Sequence, residues 1–298
     1  MKVLRTIAEL RQELSLKRQA IRSSASVVGL VPTMGYLHQG HASLMQAARQ
    51  QSDIVVLSIF VNPIQFGPNE DFDSYPRDEA RDVETARSQG VDIVFIPSVE
   101  EMYPQATQTT VSVSKLTERL CGASRPGHFD GVTTVVSKLF NIVQPQRAFF
   151  GMKDAQQVAV IQQMVNDLNM PVEIVPCPIV REEDGLALSS RNVYLNPEQR
   201  TQALVLSKAL RAAQEATDTG VATTAADIRR ILREHIATSP LAVIDYAEIQ
   251  AFPSLEPLTD QEEVQGRDDL LIALAVKFGK TRLIDNIRLQ KSEVLSHV

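Results

Sequence analysis

Two histidines three residues apart, His38 and His41, stand in the run Val31-Pro-Thr-Met-Gly-Tyr-Leu-His-Gln-Gly-His41. An apolar segment, Ser26 to Val31, precedes it, and Ala42 to Arg49 follows with helical spacing. The histidines therefore fall where a strand, a tight turn and a helix start meet. A helix N-terminus presents unpaired N–H groups and a partial positive charge, which favours an anion. Residues three apart on a helix share a face, so both imidazoles can address one phosphate-bearing ligand. Spacing alone leaves two other readings open. One is an ordinary pair with satisfied hydrogen bonds. The other is a metal site, which needs further ligands and groups to orient them.

Four more segments carry chemically useful groups. In Phe60-Val-Asn-Pro-Ile-Gln-Phe-Gly67, Asn62 and Gln65 end an apolar strand. Their amides both donate and accept, which suits a hydroxylated or neutral substrate group, although Pro63 and Gly67 also fit a plain turn. In Arg125-Pro-Gly-His-Phe-Asp-Gly131, Asp130 is expected to cap the helix that follows and Arg125 to contact an anion. In Phe150-Gly-Met-Lys-Asp154, Gly151 lets the chain turn and Lys153 offers a compact charge suited to phosphate, or simply a solvated partner for Asp154. In Arg181 to Asn192, the hydroxyls of Ser189 and Ser190 and the fork of Arg191 can wrap phosphate oxygens.

The elements that must position these groups alternate in the first half. Helices are expected at Ile7–Ala20, His41–Gln51, Arg77–Gln89, Gly131–Val143 and Ala155–Leu168. Strands are expected at Val27–Val31, Asp53–Val61, Val91–Ile96, Arg147–Phe150 and Val172–Val175. The apolar runs imply an α/β fold: a Rossmann-like parallel sheet with helices on both faces. Ligands in such sheets bind beyond the carboxyl ends of the strands, where the histidines, Asn62 to Gly67 and Gly151 to Asp154 all fall. The pattern changes near residue 185. Two helices (197–217 and 223–236), a strand (243–249) and a hairpin around Phe278-Gly-Lys280 suggest a smaller C-terminal α+β domain. The expected domains are residues 1–184 and 185–298, the second acting as a lid, with a polar, frayed tail after Leu289.

A chain of 298 residues suits this size, and a net charge of −6 argues against nucleic acid as the main partner. Cys121 and Cys177 read as free thiols in a reducing compartment. The N-terminus has no signal-like apolar core, and no apolar run approaches the ~20 residues of a membrane span. A cytoplasmic protein with no membrane partner is expected.

Taken together, the histidine pair, the Gly-x-Lys-Asp turn and the Ser-Ser-Arg loop resemble the HIGH and KMSKS arrangement of the nucleotidylyltransferase superfamily. The strings Pro32 to His41, Phe60 to Phe66, Arg125 to Gly131, Gly151 to Gln157 and Leu188 to Asn192, in this order, resemble the pantoate–β-alanine ligase (pantothenate synthetase) family along most of the chain. The resemblance implies that pantoate and ATP form an enzyme-bound pantoyl adenylate and pyrophosphate. β-Alanine then attacks the anhydride, giving pantothenate and AMP. It implies ATP contacts from Met34, Gly35, Tyr36, Leu37, His38, Gln39, Gly40 and His41, and from Gly151, Met152, Lys153 and Asp154. Val180, Leu188, Ser189, Ser190 and Arg191 would complete the ATP set. Gln65 and Gln157 would hold pantoate, with Asn62 and Arg125 as further substrate candidates. The catalytic group would be His41 (a proton donor), His38, Lys153 and Arg191. The family implies a homodimer and Mg²⁺ carried mainly on the ATP phosphates, with no permanent metal cage; Asp78 and Asp82 are open as metal neighbours or as a solvated helix face. Two rivals keep part of this pattern: a nucleotidylyltransferase with other substrates, and a nucleotide-binding module without turnover.

Overall fold

The computed structural model describes residues 1–21, 26–68, 70, 72–267 and 270–289. The tail after Leu289 lies outside them. The chain divides into two compact units, one of residues 1–180 with 188–190, the other of residues 181–187 with 191–298.

The first unit is built on a six-stranded parallel sheet in the order β1-β4-β3-β2-β5-β6. Its strands are β1 (Lys2–Leu4), β2 (Val28–Thr33), β3 (Ile54–Ile59), β4 (Ile93–Phe95), β5 (Arg147–Gly151) and β6 (Glu173–Cys177). All six residues of β3 are buried, which requires cover on both faces. Val55, Leu57 and Ile59 pack with Leu44, Met45 and Ala48 of α2 (Gln39–Gln51 in full). The other helices of this unit are α1 (Ile7–Ala20), α3 (Glu79–Ser88), α4 (Val99–Met102), α5 (Leu120–Ser124), α6 (His128–Val143) and α7 (Ala155–Asp167). Helix α6 packs against α1 and α7 and also meets β2. The chain winds from β2 outward through β3 and β4, then crosses to β5 on the other side of β2. The carboxyl ends of β3, β2 and β5 thus lie side by side at the point where the winding reverses, where such sheets take ligands.

The second unit packs α9 (Val205–Asp218) and α10 (Ala225–Ile236), with the short α8 (Pro197–Gln202) before them, on an antiparallel sheet. Its order is β7 (Ala242–Ala251), β8 (Leu270–Phe278) and β9 (Thr281–Leu289). Gly279, at φ +62°, turns the β8–β9 hairpin. Arg181 grips the buried carboxylate of Asp285 with two bonds of 2.6 and 2.8 Å. Among the described residues, no helix is long and apolar enough to cross a membrane.

Three expectations change. The single helix at 197–217 is two, because Ala203 and Leu204 tighten the chain into an i to i+3 turn at helical dihedrals that neither Gly nor Pro announces. Strand β1 was not expected; three residues are too few for a periodic signal, yet they pair with β4 along their whole length. Asp130 does not cap α6. The helix begins at His128, three residues before the expected Gly131, after Gly127 at φ +80°, and Asp130 instead accepts the Ser112 hydroxyl at 2.8 Å.

Gly131 sets how closely α6 approaches the segment that follows β3. A Cβ there would stand 2.5 Å from both the Gln65 Cα and the Ile64 carbonyl oxygen. Gly131→Ala is therefore expected to destabilise the protein by about 1–3 kcal/mol, as overpacking does. A denaturant melt checks it, and an unchanged midpoint would contradict the close approach.

Candidate active site

Strand β2 ends at Thr33, whose hydroxyl donates to the Ser58 carbonyl at 2.8 Å and accepts from the Gly35 N–H at 3.2 Å. Gly35 then takes φ +85° and Tyr36 φ +50°. Tyr36 is a costly choice for the left-handed region and must be held there. The holder is Asp82 of α3. Its buried carboxylate accepts the Tyr36 and Leu37 N–H groups at 2.7 and 2.6 Å. Burial pushes the Asp82 carboxyl above the usual range, against the pull of these two N–H bonds. Its neighbour Arg81 stacks over the Tyr36 ring at 5.2 Å and donates to the Leu37 carbonyl at 3.3 Å. Asp78 caps the same helix by accepting from the Arg81 N–H.

The held turn delivers the chain into α2, and the two histidines make its cap. The Nδ1 of His38 accepts the Gly40 N–H at 3.1 Å, and the Nδ1 of His41 accepts the His38 N–H at 3.2 Å. Each ring uses Nδ1 as an acceptor, so in its neutral form each carries its proton on Nε2. The rings lie 4.1 Å apart between centroids. Burial, followed by the charges of Lys153 and Arg81, holds His38 down to about 4. Burial, His38 and Lys153 hold His41 down to about 3. At neutral pH the pair thus presents two uncharged Nε2–H donors at a helix N-terminus. Asp154 opposes these shifts on both rings, so Lys153 and Asp154 lie within electrostatic range of the pair. Lys153 Nζ also bonds Asp154 at 3.3 Å, in a one-turn helix (Met152–Asp154) directly after Gly151, the last residue of β5.

The third neighbour is the segment after β3. Gln65 is buried, and its Nε2 donates to the Met34 sulfur at 3.1 Å, which ties this amide to the histidine loop. Asn62 donates from Nδ2 to Gln65 Oε1 and to the Gly131 carbonyl, both at 3.1 Å. The Gln65 carbonyl meets His128 Nδ1 at 2.8 Å, and His128 meets Arg125 at 2.9 Å. Arg125 forks onto Glu70 at 2.6 and 2.5 Å, so its anion is within the chain. Burial raises Glu70, yet the Arg125 bonds and charge leave it below its ordinary value. On α7, Gln156 is fixed by Cys121, Leu116 and Arg119, whereas half-buried Gln157 makes no side-chain hydrogen bond with a described residue.

Leu188 returns to the first unit, its N–H donating to the Val180 carbonyl at 3.0 Å. Its Cβ would stand 3.8 Å from a Cβ at Gly40, so this pair lies beside the start of α2. Ser189 and Ser190 belong to the same unit, while Arg191 belongs to the second. Sequence reasoning left Asp82 open and did not single out Glu70 or Tyr103, whose hydroxyl donates to Asn62 Oδ1 at 2.8 Å. The spacing of the acidic residues in α3 could have flagged Asp82 only with knowledge of the loop it faces. Neither Cys121 nor Cys177 is in a disulfide.

Neutral donors above a helix start, a lysine beside them and an ordered amide alongside can bind a polyphosphate and hold an acid at its edge. The family model described as pantoate–β-alanine ligase matches residues 2–288. The chain is 58% identical to pantothenate synthetase of Acetivibrio thermocellus, covering 96% of this chain and 99% of that protein. Pantothenate synthetase of Thermus thermophilus superposes with a TM-score of 0.88 at 47% identity, over 97% of this chain and 100% of that one. Pantoate–β-alanine ligase of Francisella tularensis, solved with a β,γ ATP ligand and β-alanine, superposes with a TM-score of 0.76 at 32% identity, over 97% of each chain.

The buried histidines make stability depend on pH. His38 and His128 are held at about 4 and His41 at about 3, below the ordinary 6.5. The unfolded chain therefore binds more protons below about pH 6.5, and this contribution, complete above that pH, is lost as pH falls toward 4. Denaturant melts between pH 7.5 and 5 should show a falling midpoint; a flat profile would contradict the burial of the rings.

Proposed function

We infer the function of this chain from one premise: it belongs to the pantoate–β-alanine ligase family. It is a carbon–nitrogen ligase of pantothenate biosynthesis that uses ATP to join pantoate to β-alanine. The observation that supports the mechanism is the histidine cap of α2, because it leaves two neutral Nε2–H donors at a helix start, which suits a site where phosphate charge builds.

In the first step a pantoate carboxylate oxygen attacks the α-phosphorus of ATP and the bond to pyrophosphate breaks, leaving pantoyl adenylate. In the second step the β-alanine amine attacks the acyl carbon, AMP leaves, and the amine loses a proton. We assign the ATP phosphates to His38, His41, Lys153 and Arg191, with the loop Met34 to Gly40, Gly151 to Asp154, Val180 and Leu188 to Ser190 around the nucleotide. Preorganised donors of this kind each lower a barrier by roughly 2.7–4 kcal/mol. The proton-donor role of His41 is a shared Nε2–H, since a ring held at about 3 carries no second proton at neutral pH. Gln65 and Gln157 hold pantoate, whose in-line placement can lower the barrier by on the order of 7 kcal/mol. Asn62 and Arg125 enter as groups that steady Gln65, one through its amide and the other through His128.

Mg²⁺ arrives with ATP as part of the substrate. Among the described residues, no group of three or more His, Cys, Asp or Glu could hold it, and both Asp82 oxygens already bond loop amides. Such an ion keeps waters and phosphate oxygens as its ligands. The anhydride hydrolyses if water reaches it, so the C-terminal domain, residues 185–298, is assigned the part of a lid. The family resemblance also supports a homodimer in the cytoplasm.

Incubation with ATP, pantoate and β-alanine is expected to yield AMP only when pantoate is present. AMP release without pantoate would favour another nucleotidylyltransferase, and ATP binding with no turnover would favour a regulatory module. His41→Ala should lower turnover by at least ~100-fold, as for loss of one preorganised donor. Unchanged steady-state turnover would remove His41 from the catalytic group.

A further inference from the structure

Gln65 can present either end of its amide to a ligand, and the chain contains a device that decides which. The Gly131 carbonyl can only accept, so the group of Asn62 that faces it at 3.1 Å must be the Nδ2 donor. The second hydrogen of that nitrogen points to Gln65, which must turn its Oε1 to receive it at 3.1 Å. The Gln65 Nε2 is left facing the Met34 loop. One acceptor in the series remains, Asn62 Oδ1, and the Tyr103 hydroxyl donates to it at 2.8 Å. The amide orientations therefore follow from a backbone carbonyl at one end and a phenol at the other.

Tyr103 is held for this task. It follows α4, where its own N–H donates to the Val99 carbonyl at 2.7 Å, and Lys138 Nζ lies 5.1 Å from its ring centre. Burial pushes the phenol up to about 12, so it remains a donor throughout the working range. Asn62 itself is almost fully buried, and an amide oxygen left unpaired there would be costly.

We propose that Tyr103 is a positioning residue for the acid substrate: through Asn62 it locks Gln65 with its NH₂ group toward the Met34 loop, so that the site takes an oxygen acceptor of the hydroxy acid at that point. In this role Tyr103 acts through Asn62 rather than by contact with a substrate. The inference rests on the assignment of Gln65 to pantoate made above.

Tyr103→Phe removes one hydroxyl and keeps the ring. Steady-state kinetics should then show the KM for pantoate rising roughly 5- to 20-fold, with the KM for ATP and kcat within about twofold of the wild type. Asn62→Asp removes the donor that Gln65 Oε1 requires, and its KM for pantoate should rise further, again with ATP use retained. Unchanged pantoate KM in Tyr103→Phe would overturn the proposal. So would an equal rise for both substrates, which would mark a general loss of packing. Gln65→Ala separates this failure from failure of the underlying assignment: if that variant also leaves pantoate KM unchanged, Gln65 is not a pantoate ligand at all.

Discussion

The geometry of the first unit's site depends on two imidazoles that turn their Nδ1 atoms to the start of α2. His38 and His41 give their Nδ1 atoms to backbone N–H groups at the start of α2. A helix start leaves such N–H groups without partners, and serine or aspartate usually answers one of them. Here aromatic nitrogens do so, and each ring is thereby left with its proton on Nε2. The same bonds that finish the helix fix the tautomer. Burial and the nearby Lys153 charge then keep both rings neutral. A charged imidazole would attract phosphate more strongly in the ground state, but it would need a site that favours its charge, and this one does not.

This cap is set by the turn before it. Tyr36 lies in a backbone region that disfavours side chains, and Asp82 holds it with two short N–H bonds. Asp82 reaches the turn because α3 follows β3 and packs alongside α2. The parallel sheet thus supplies more than a platform. The order β3-β2-β5 brings the amide segment after β3, the histidine turn after β2 and the lysine turn after β5 to one edge. The Gln65 bond to Met34 and the influence of Lys153 on both rings are the local consequences.

Much of this was legible in the residues. Strand β3 announces itself by six apolar or small residues in a row, and the alternation of such runs with helical spacing gives the parallel sheet. The run from Val31 to His41 marks a strand, a turn and a helix start, and the family strings named the reaction. What stayed hidden depends on partners distant in sequence. Asp82 sits among Glu79, Arg81 and Glu84, where it reads as one more charge on a wet face; its burial is visible only with residues 36 and 37 in place. Arg125 looked ready for an external anion because Glu70, 55 positions away, gives no local signal. Tyr103 stands in a stretch without periodicity. The split at Ala203 and Leu204 carries no Gly or Pro.

The tautomer and charge of the two rings can be read directly by nitrogen-15 NMR of the imidazole side chains of the full-length protein, followed through a pH titration. His38 and His41 should each carry one proton, on Nε2, from pH 8 down to about pH 5. A ring that titrates near the ordinary 6.5, or that carries its proton on Nδ1 at neutral pH, would contradict the neutral-donor site at the start of α2.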